Sequence, residues 1–248
     1  MHPRHLPAIN LRYWLGITLA SVFGTNLGDF YAHATGLGIL PGLAVLALIC
    51  AAAFAAEQLD GGVREFYYWT VIIIIRTGAT NIADYTAYRL HVPEPVLNAG
   101  LMLLLALLSL VQARSSRSSA ATSPGARLPA TGTLYWIAML TAGVLGTVLG
   151  DVCEHAFGDG VAAISLSLLL MGVLFWRKGG IGPFYWLIIA VARTAGTAVG
   201  DWLAENRILN IGLPLATLAT GLMFVAVLLL WSQRSDPLRP PPKSFTVS

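Results

Sequence analysis

Four aspartates lie in four otherwise apolar runs, each fifteen residues after the tryptophan of a Tyr-Trp pair: Tyr13-Trp14 and Asp29, Tyr68-Trp69 and Asp84, Tyr135-Trp136 and Asp151, Tyr185-Trp186 and Asp201. One spacing held four times indicates one structural unit used repeatedly. The words around the aspartates also match: GTNLGD, GATNIAD, GTVLGD and GTAVGD. These runs, and the plainer apolar runs that follow them, reach the roughly 20 residues a helix needs to cross a hydrocarbon core. In lipid every backbone polar group must be bonded within the protein, which leaves such runs little but the helix. The charged fraction agrees: 11% here, with a mean hydropathy of +0.70, against roughly 25% in soluble domains.

The expected fold is an all-α integral membrane protein with eight transmembrane helices, near residues 12–33, 37–57, 64–89, 95–112, 131–156, 160–177, 182–205 and 208–232. Two helices per unit send every unit into the membrane in the same direction, giving four parallel two-helix repeats. The copies pair further. The first and third place a histidine four residues after the aspartate (His33, His155); the second and fourth place an arginine eight before it (Arg76, Arg193). The chain thus divides into two pseudo-symmetric four-helix halves, 1–112 and 131–232. A Ser-, Pro- and Arg-rich cytoplasmic linker, 113–130, joins them, and a cytoplasmic tail covers 233–248.

The first run resembles a secretory signal with an Ala32-His33-Ala34 site, but Asn26 and Asp29 just before that site argue against cleavage. Orientation follows from the basic residues. Eleven fall on the side of the N-terminus (Arg4, Arg12, Arg64, Arg114, Arg117, Arg127, Arg177, Lys178, Arg234, Arg239, Lys243) and two opposite (Arg89, Arg207). Both termini are expected to be cytoplasmic. The net charge of +3 is then a matter of topology, with no nucleic-acid partner implied. The tryptophans are expected in an interface belt. Cys50 and Cys153 lack metal or disulfide spacing and read as small apolar packing residues.

Residues four apart share a helix face. Each aspartate helix therefore carries a polar stripe: Thr25-Asp29-His33, Thr80-Asp84-Tyr88, Thr147-Asp151-His155 and Thr197-Asp201-Glu205. Beside each stripe runs a small-xxx-small pair (Gly24/Gly28, Ala79/Ala83, Gly146/Gly150, Gly196/Gly200), which lets helices approach closely in lipid. The simplest assembly puts these four helices inside, with the stripes converging on an axis. At about 1.5 Å per residue the aspartates stand ~22 Å from their tryptophans, past the membrane midplane.

An Asp or Arg at a helix centre costs about 2.5–3.5 kcal/mol on insertion scales, so four Asp and two Arg must face protein, water or a ligand. Four carboxylates on one axis repel and need a proton or a cation between them. With His33, His155, Glu154 and Glu205 they form an oxygen-and-imidazole set suited to a divalent metal, and equally to a proton relay. Blander roles stay open: aspartates that fix packing between repeats, threonines bonded to their own backbone, glutamates solvated at loop edges. Arg76 and Arg193 would line a deeper part of the same pathway or balance its charge.

No GxSxG, HExxH or phosphate-binding loop is present, so no enzymatic activity is expected. At "GTNLGDFYAHATGLG", "TNIADYTAYRL", "GTVLGDVCEH" and "RTAGTAVGDWLAE" the chain resembles a bacterial family of uncharacterised multi-pass membrane-anchored proteins with four GTxLGD-like words. The second copy departs from it with "ADYTAY" and the third with "GDVCEH". The resemblance implies the multi-pass fold, a bacterial inner membrane and a role for the four aspartates; it leaves the ligand open.

The function expected is transport of a cation, a divalent metal or a metal exchanged for protons. Asp29, Asp84, Asp151, Asp201, His33, His155 and Glu205 would bind it, the first six as metal ligands. Thr25, Thr80, Thr147, Thr197, Arg76 and Arg193 would line the pathway. The lipid bilayer and a small cation are the expected partners, a divalent metal ion is the cofactor to test for, and homo-oligomerisation is left open. The rival is a non-transporting sensor or scaffold. A third reading, a carrier of anions or small molecules using the two arginines, predicts that neutralising them abolishes uptake while the aspartate variants keep it.

Overall fold

The computed structural model of the chain describes residues 7–60, 65–119, 129, 131–176 and 184–232. Eight α-helices account for nearly all of them: α1 (Leu11–Thr35), α2 (Ile39–Leu59), α3 (Phe66–Asp84), α4 (Glu94–Ser119), α5 (Thr133–Phe157), α6 (Asp159–Trp176), α7 (Tyr185–Glu205) and α8 (Gly212–Ser232). A π-helical turn, Tyr85–Arg89, extends α3. It falls in the second copy, where "ADYTAY" replaces the usual word. The Asn10 side chain caps α1 by accepting from the Tyr13 N–H at 3.0 Å, and Gly36 ends the helix at φ 59°, a left-handed conformation glycine adopts without cost.

Six of the eight helices (α2, α4, α5, α6, α7 and α8) are long and apolar enough to cross a membrane. α1 and α3 are the exceptions. Both carry unusually polar buried faces: Ser21, Thr25 and Asn26 on α1; Arg76, Thr77, Thr80 and Asn81 on α3.

The odd-numbered helices form a closed inner ring, α1 against α3, α3 against α5, α5 against α7, and α7 against α1. Their tyrosine-bearing N-terminal ends meet at one end of the ring and their aspartates at the other, so the four run parallel. The even-numbered helices lie outside and leave most of their apolar side chains, such as Leu48, Leu103, Leu168 and Leu229, uncovered. Each outer helix packs chiefly on the following inner helix: α2 on α3, α4 on α5, α6 on α7, and α8 back on α1.

The small residues make the ring possible. A Cβ added at Gly24 would overlap Arg76 Cβ, and one at Gly28 would lie 2.7 Å from Thr80 Cβ. Gly146 and Gly150 receive Arg193 and Thr197 of α7 in the same way, while Gly196 and Gly200 of α7 receive Ser21, Thr25 and Asn26 of α1. On α3, Ala79 and Ala83 pack on Val144 and Val148 of α5. Small-xxx-small spacing thus sets all four inner seams.

Two expectations are corrected. Trp14, Trp69, Trp136 and Trp186 do not form an outward-facing belt; they are buried in the seams at 2–9% exposure, each set edge-on against the preceding tyrosine. Close packing accounts for this, since the grooves between four parallel helices are filled by large side chains. The linker also begins later than residue 112, because α4 continues to Ser119. Beyond Ser119 the linker, residue 129 apart, lies outside the described residues, as do the tail 233–248 and most of the basic residues that set the expected orientation, including Arg4, Arg64, Arg127, Arg177 and Lys178.

Candidate functional site

Counting in fours from each tyrosine gives the axis of the ring as layers, because the i, i+4 row stays on one helix face. The first layer is Tyr13, Tyr68, Tyr135 and Tyr185, all fully buried. Their hydroxyls close a four-membered hydrogen-bonded ring: Tyr13–Tyr68 3.1 Å, Tyr68–Tyr135 2.7 Å, Tyr135–Tyr185 2.8 Å and Tyr185–Tyr13 2.6 Å. Each hydroxyl can donate to one neighbour and accept from the other, so all four are satisfied without water. The second layer, Ile17, Ile72, Met139 and Ile189, is apolar and fully buried.

The third layer is Ser21, Arg76, Gly143 and Arg193. Both guanidiniums are fully buried. Arg193 Nη1 donates to the Ser21 carbonyl at 2.8 Å; Nη2 donates to Thr80 Oγ1 at 2.6 Å, to Thr147 Oγ1 at 2.8 Å and to the Arg76 carbonyl at 3.4 Å; Nε donates to Thr147 Oγ1 at 3.2 Å. One side chain of α7 therefore ties α1, α3 and α5 together at a single level. Arg76 has a poorer environment. Its Nη2 lies 3.7 Å from Met139 Sδ, and its Nε and Nη1 have no partner.

The fourth layer is Thr25, Thr80, Thr147 and Thr197. Three of these hydroxyls donate back to their own helices, Thr25 to Ser21 O, Thr80 to Arg76 O and Thr147 to Gly143 O, at 3.2–3.4 Å. The same Thr80 and Thr147 oxygens accept from Arg193. The expected backbone-bonded threonine and the expected pathway-lining threonine are thus the same residue.

Above the threonines the ring opens into a cavity of about 420 Å³. Asp29, Asp84, Asp151 and Asp201 all line it, with the four threonines below and His33, Tyr88, His155 and Glu205 at the following positions. Among the described residues the ion pair within 4 Å is Arg12–Glu65 at 3.1 Å, and none reaches the four aspartates. Arg193 comes no nearer to them than the threonine layer, so its charge acts on the carboxylates from below without bonding them. Asn81 stiffens the wall by donating to the Gly28 carbonyl at 3.2 Å.

The sequence brought these residues to one place and erred on the tightest cluster. Asp151, Glu154 and Asp201 each offer an oxygen within 4.8 Å of the others. Glu154, expected at a solvated loop edge ahead of a place in the ligand set, lines the cavity, and its Oε1 is buried without a partner. The signal was present: residue i+3 shares the helix face of Asp151. Asp159 starts α6 and also lines the cavity. His33 and His155 sit at the mouth and are exposed, and His33 Nδ1 lies 2.7 Å from the Asp29 carbonyl of its own helix. Arg76 and Arg193 lie beneath the cavity and do not line it. A second cavity of about 430 Å³ shares Tyr88, Asp151 and His155 with the first and adds His91, ahead of α4, and Glu94 at its start.

Chemically the site is an acidic chamber with imidazoles at its mouth, a hydroxyl floor, and a fixed cation under the floor. Two stretches of the chain match a repeat of unknown function, DUF347: residues 12–59, which hold α1 and α2, and residues 184–235, which hold α7 and α8. The chain therefore carries an internal repeat of a helix pair, consistent with a repeat-containing family of uncharacterised proteins. No curated protein and no solved structure matches it.

Proposed function

We propose that this chain is a multi-pass membrane transporter that binds a small cation, a divalent metal or a metal exchanged for protons, in the acidic chamber. The observation that carries this reading is the convergence of Asp29, Asp84, Asp151 and Asp201 on one cavity with no ion-pair partner among the described residues. Like charges brought together at low dielectric need a counter-charge. A divalent ion supplies it, and the oxygens of Asp151, Glu154 and Asp201 are close enough to share one. The architecture goes with it: eight spans in four parallel two-helix units, two four-helix halves, both termini cytoplasmic, in a bacterial inner membrane. The uncovered leucine faces of α2, α4, α6 and α8 supply the lipid contact.

Elemental analysis of protein purified without chelator tests the reading, with Mn²⁺, Co²⁺, Ni²⁺ and Zn²⁺ then offered to protein-loaded vesicles. The expected result is a near-stoichiometric transition metal, lost from Asp84→Asn/Asp201→Asn, and flux that the same variant abolishes. Absence of both metal and flux overturns it.

One observation favours a second reading, a sensor that binds without conducting. Beneath the threonines the axis is filled by the Arg193 guanidinium, an apolar layer and the tyrosine ring. A fixed cation on the axis repels a passing one. Stoichiometric metal without flux selects this second reading.

A further inference from the structure

Arg76 and Arg193 occupy equivalent positions, each eight residues before its aspartate and eight after its tyrosine. Their stems are packed equivalently too: Arg76 Cβ fills the notch at Gly24 of α1, and Arg193 Cβ and Cγ fill the notch at Gly146 of α5. Their heads differ. Arg193 takes five hydrogen bonds on the axis, whereas Arg76 takes one weak sulfur contact and leaves Nε and Nη1 unpartnered at zero exposure. A buried guanidinium with idle donors is costly and calls for an alternative set of acceptors.

The fold contains such a set. Exchanging the two halves maps α7 onto α3 and α5 onto α1. The acceptors Thr80 Oγ1, Thr147 Oγ1, Ser21 O and Arg76 O of Arg193 then map onto Thr197 Oγ1, Thr25 Oγ1, Gly143 O and Arg193 O for Arg76. Thr25 and Thr197 take no guanidinium in this structure; their hydroxyls face each other at 3.4 Å. Two guanidiniums at one level inside a four-helix ring repel, so a single head occupies the seat under the threonines at a time.

We propose that Arg76 and Arg193 are alternative occupants of the seat beneath the acidic chamber, and that their exchange is the two-state switch of the site. With Arg193 seated, the positive charge lies one turn below Asp84 and Asp151. With Arg76 seated, it lies one turn below Asp29 and Asp201. The exchange moves one charge across the axis without moving a helix, and so changes which carboxylates are left for a cation. The stereochemical part stands alone, and the regulatory part rests on the cation-site reading.

The test is a thermodynamic cycle with two threonine pairs. Thr25→Val/Thr197→Val and Thr80→Val/Thr147→Val are each made in the wild type and in Arg193→Gln, and melting temperatures are read in lipid nanodiscs. In the wild type the Thr80/Thr147 pair carries the larger loss. In Arg193→Gln the order reverses, because Arg76 now bonds Thr25 and Thr197, and a crystal structure of that variant shows its head there. Should Arg193→Gln fail to fold, Arg193→Lys replaces it, since a lysine keeps the charge and lacks the forked donors. The same order of losses in both backgrounds, or an Arg76 head still against Met139, overturns the exchange. No cation enters these measurements, so a protein that retains no metal and carries no flux sinks the cation reading and leaves this one to its own result.

Discussion

At the scale of single residues the carboxylates and the tyrosines pull in opposite energetic directions. Asp151 lies within 4.8 Å of Glu154 and Asp201 without a bonded counter-charge. Two ionised groups at that distance repel by about 3 kcal/mol at an effective dielectric of 20. Asp151→Asn is therefore expected to stabilise the metal-free protein at neutral pH by on the order of 1–3 kcal/mol, seen as a higher melting temperature, and to reduce the further rise that added Mn²⁺ or Zn²⁺ produces. Thermal unfolding with and without metal reads both, and a variant that destabilises the metal-free protein contradicts the repulsion argument. The tyrosine ring behaves oppositely. Tyr135→Phe opens it and leaves neighbouring hydroxyls short of a partner in a buried layer, at a cost of about 1–3 kcal/mol, which the same melts measure.

Among whole elements, the inner helices are specified by contact between backbones and the outer helices by little more than apolarity. Gly24→Leu or Gly146→Leu drives a side chain into an arginine stem and is expected to destabilise by at least the 1–3 kcal/mol typical of overpacking. Gly100→Leu and Gly172→Leu, on α4 and α6, meet nothing within 4 Å and are expected to be neutral in the same unfolding assay. This difference also governs what could be read from the sequence. The Trp-to-Asp spacing and the small-xxx-small pairs report inner-helix geometry directly, so the convergence of the four aspartates was legible. The tyrosines were not, because an aromatic pair at the end of an apolar run carries the same signature whether it faces lipid or a ring of its own copies. The unlike heads of Arg76 and Arg193 were also hidden: equivalent positions predict equivalent environments, and only packing around the axis makes one head exclude the other. Glu154 was missed as part of the tightest cluster because the fixed four-residue stripe drew attention from the i+3 position.

For the molecule as a whole, the axis is asymmetric from end to end: open and acidic at the C-terminal ends of the inner helices, closed by hydroxyls at their N-terminal ends. In a Cys50→Ala/Cys153→Ala background, His33→Cys is expected to react with a membrane-impermeant thiol reagent from the face opposite the termini, and Tyr135→Cys from neither face. Labelling of sealed vesicles of known orientation checks this. The outer helices add a different constraint. Because α8 covers α1, with Thr217 donating to the Asn26 carbonyl at 3.1 Å and Arg12 to the Leu228 carbonyl at 3.3 Å, α1 is completed by a helix made after the six that lie between them. Until α8 is made, α1 lacks the partner of its Asn26 carbonyl even when α7 has closed the inner ring, and a chain halted before α8 is expected to be a substrate for proteolysis.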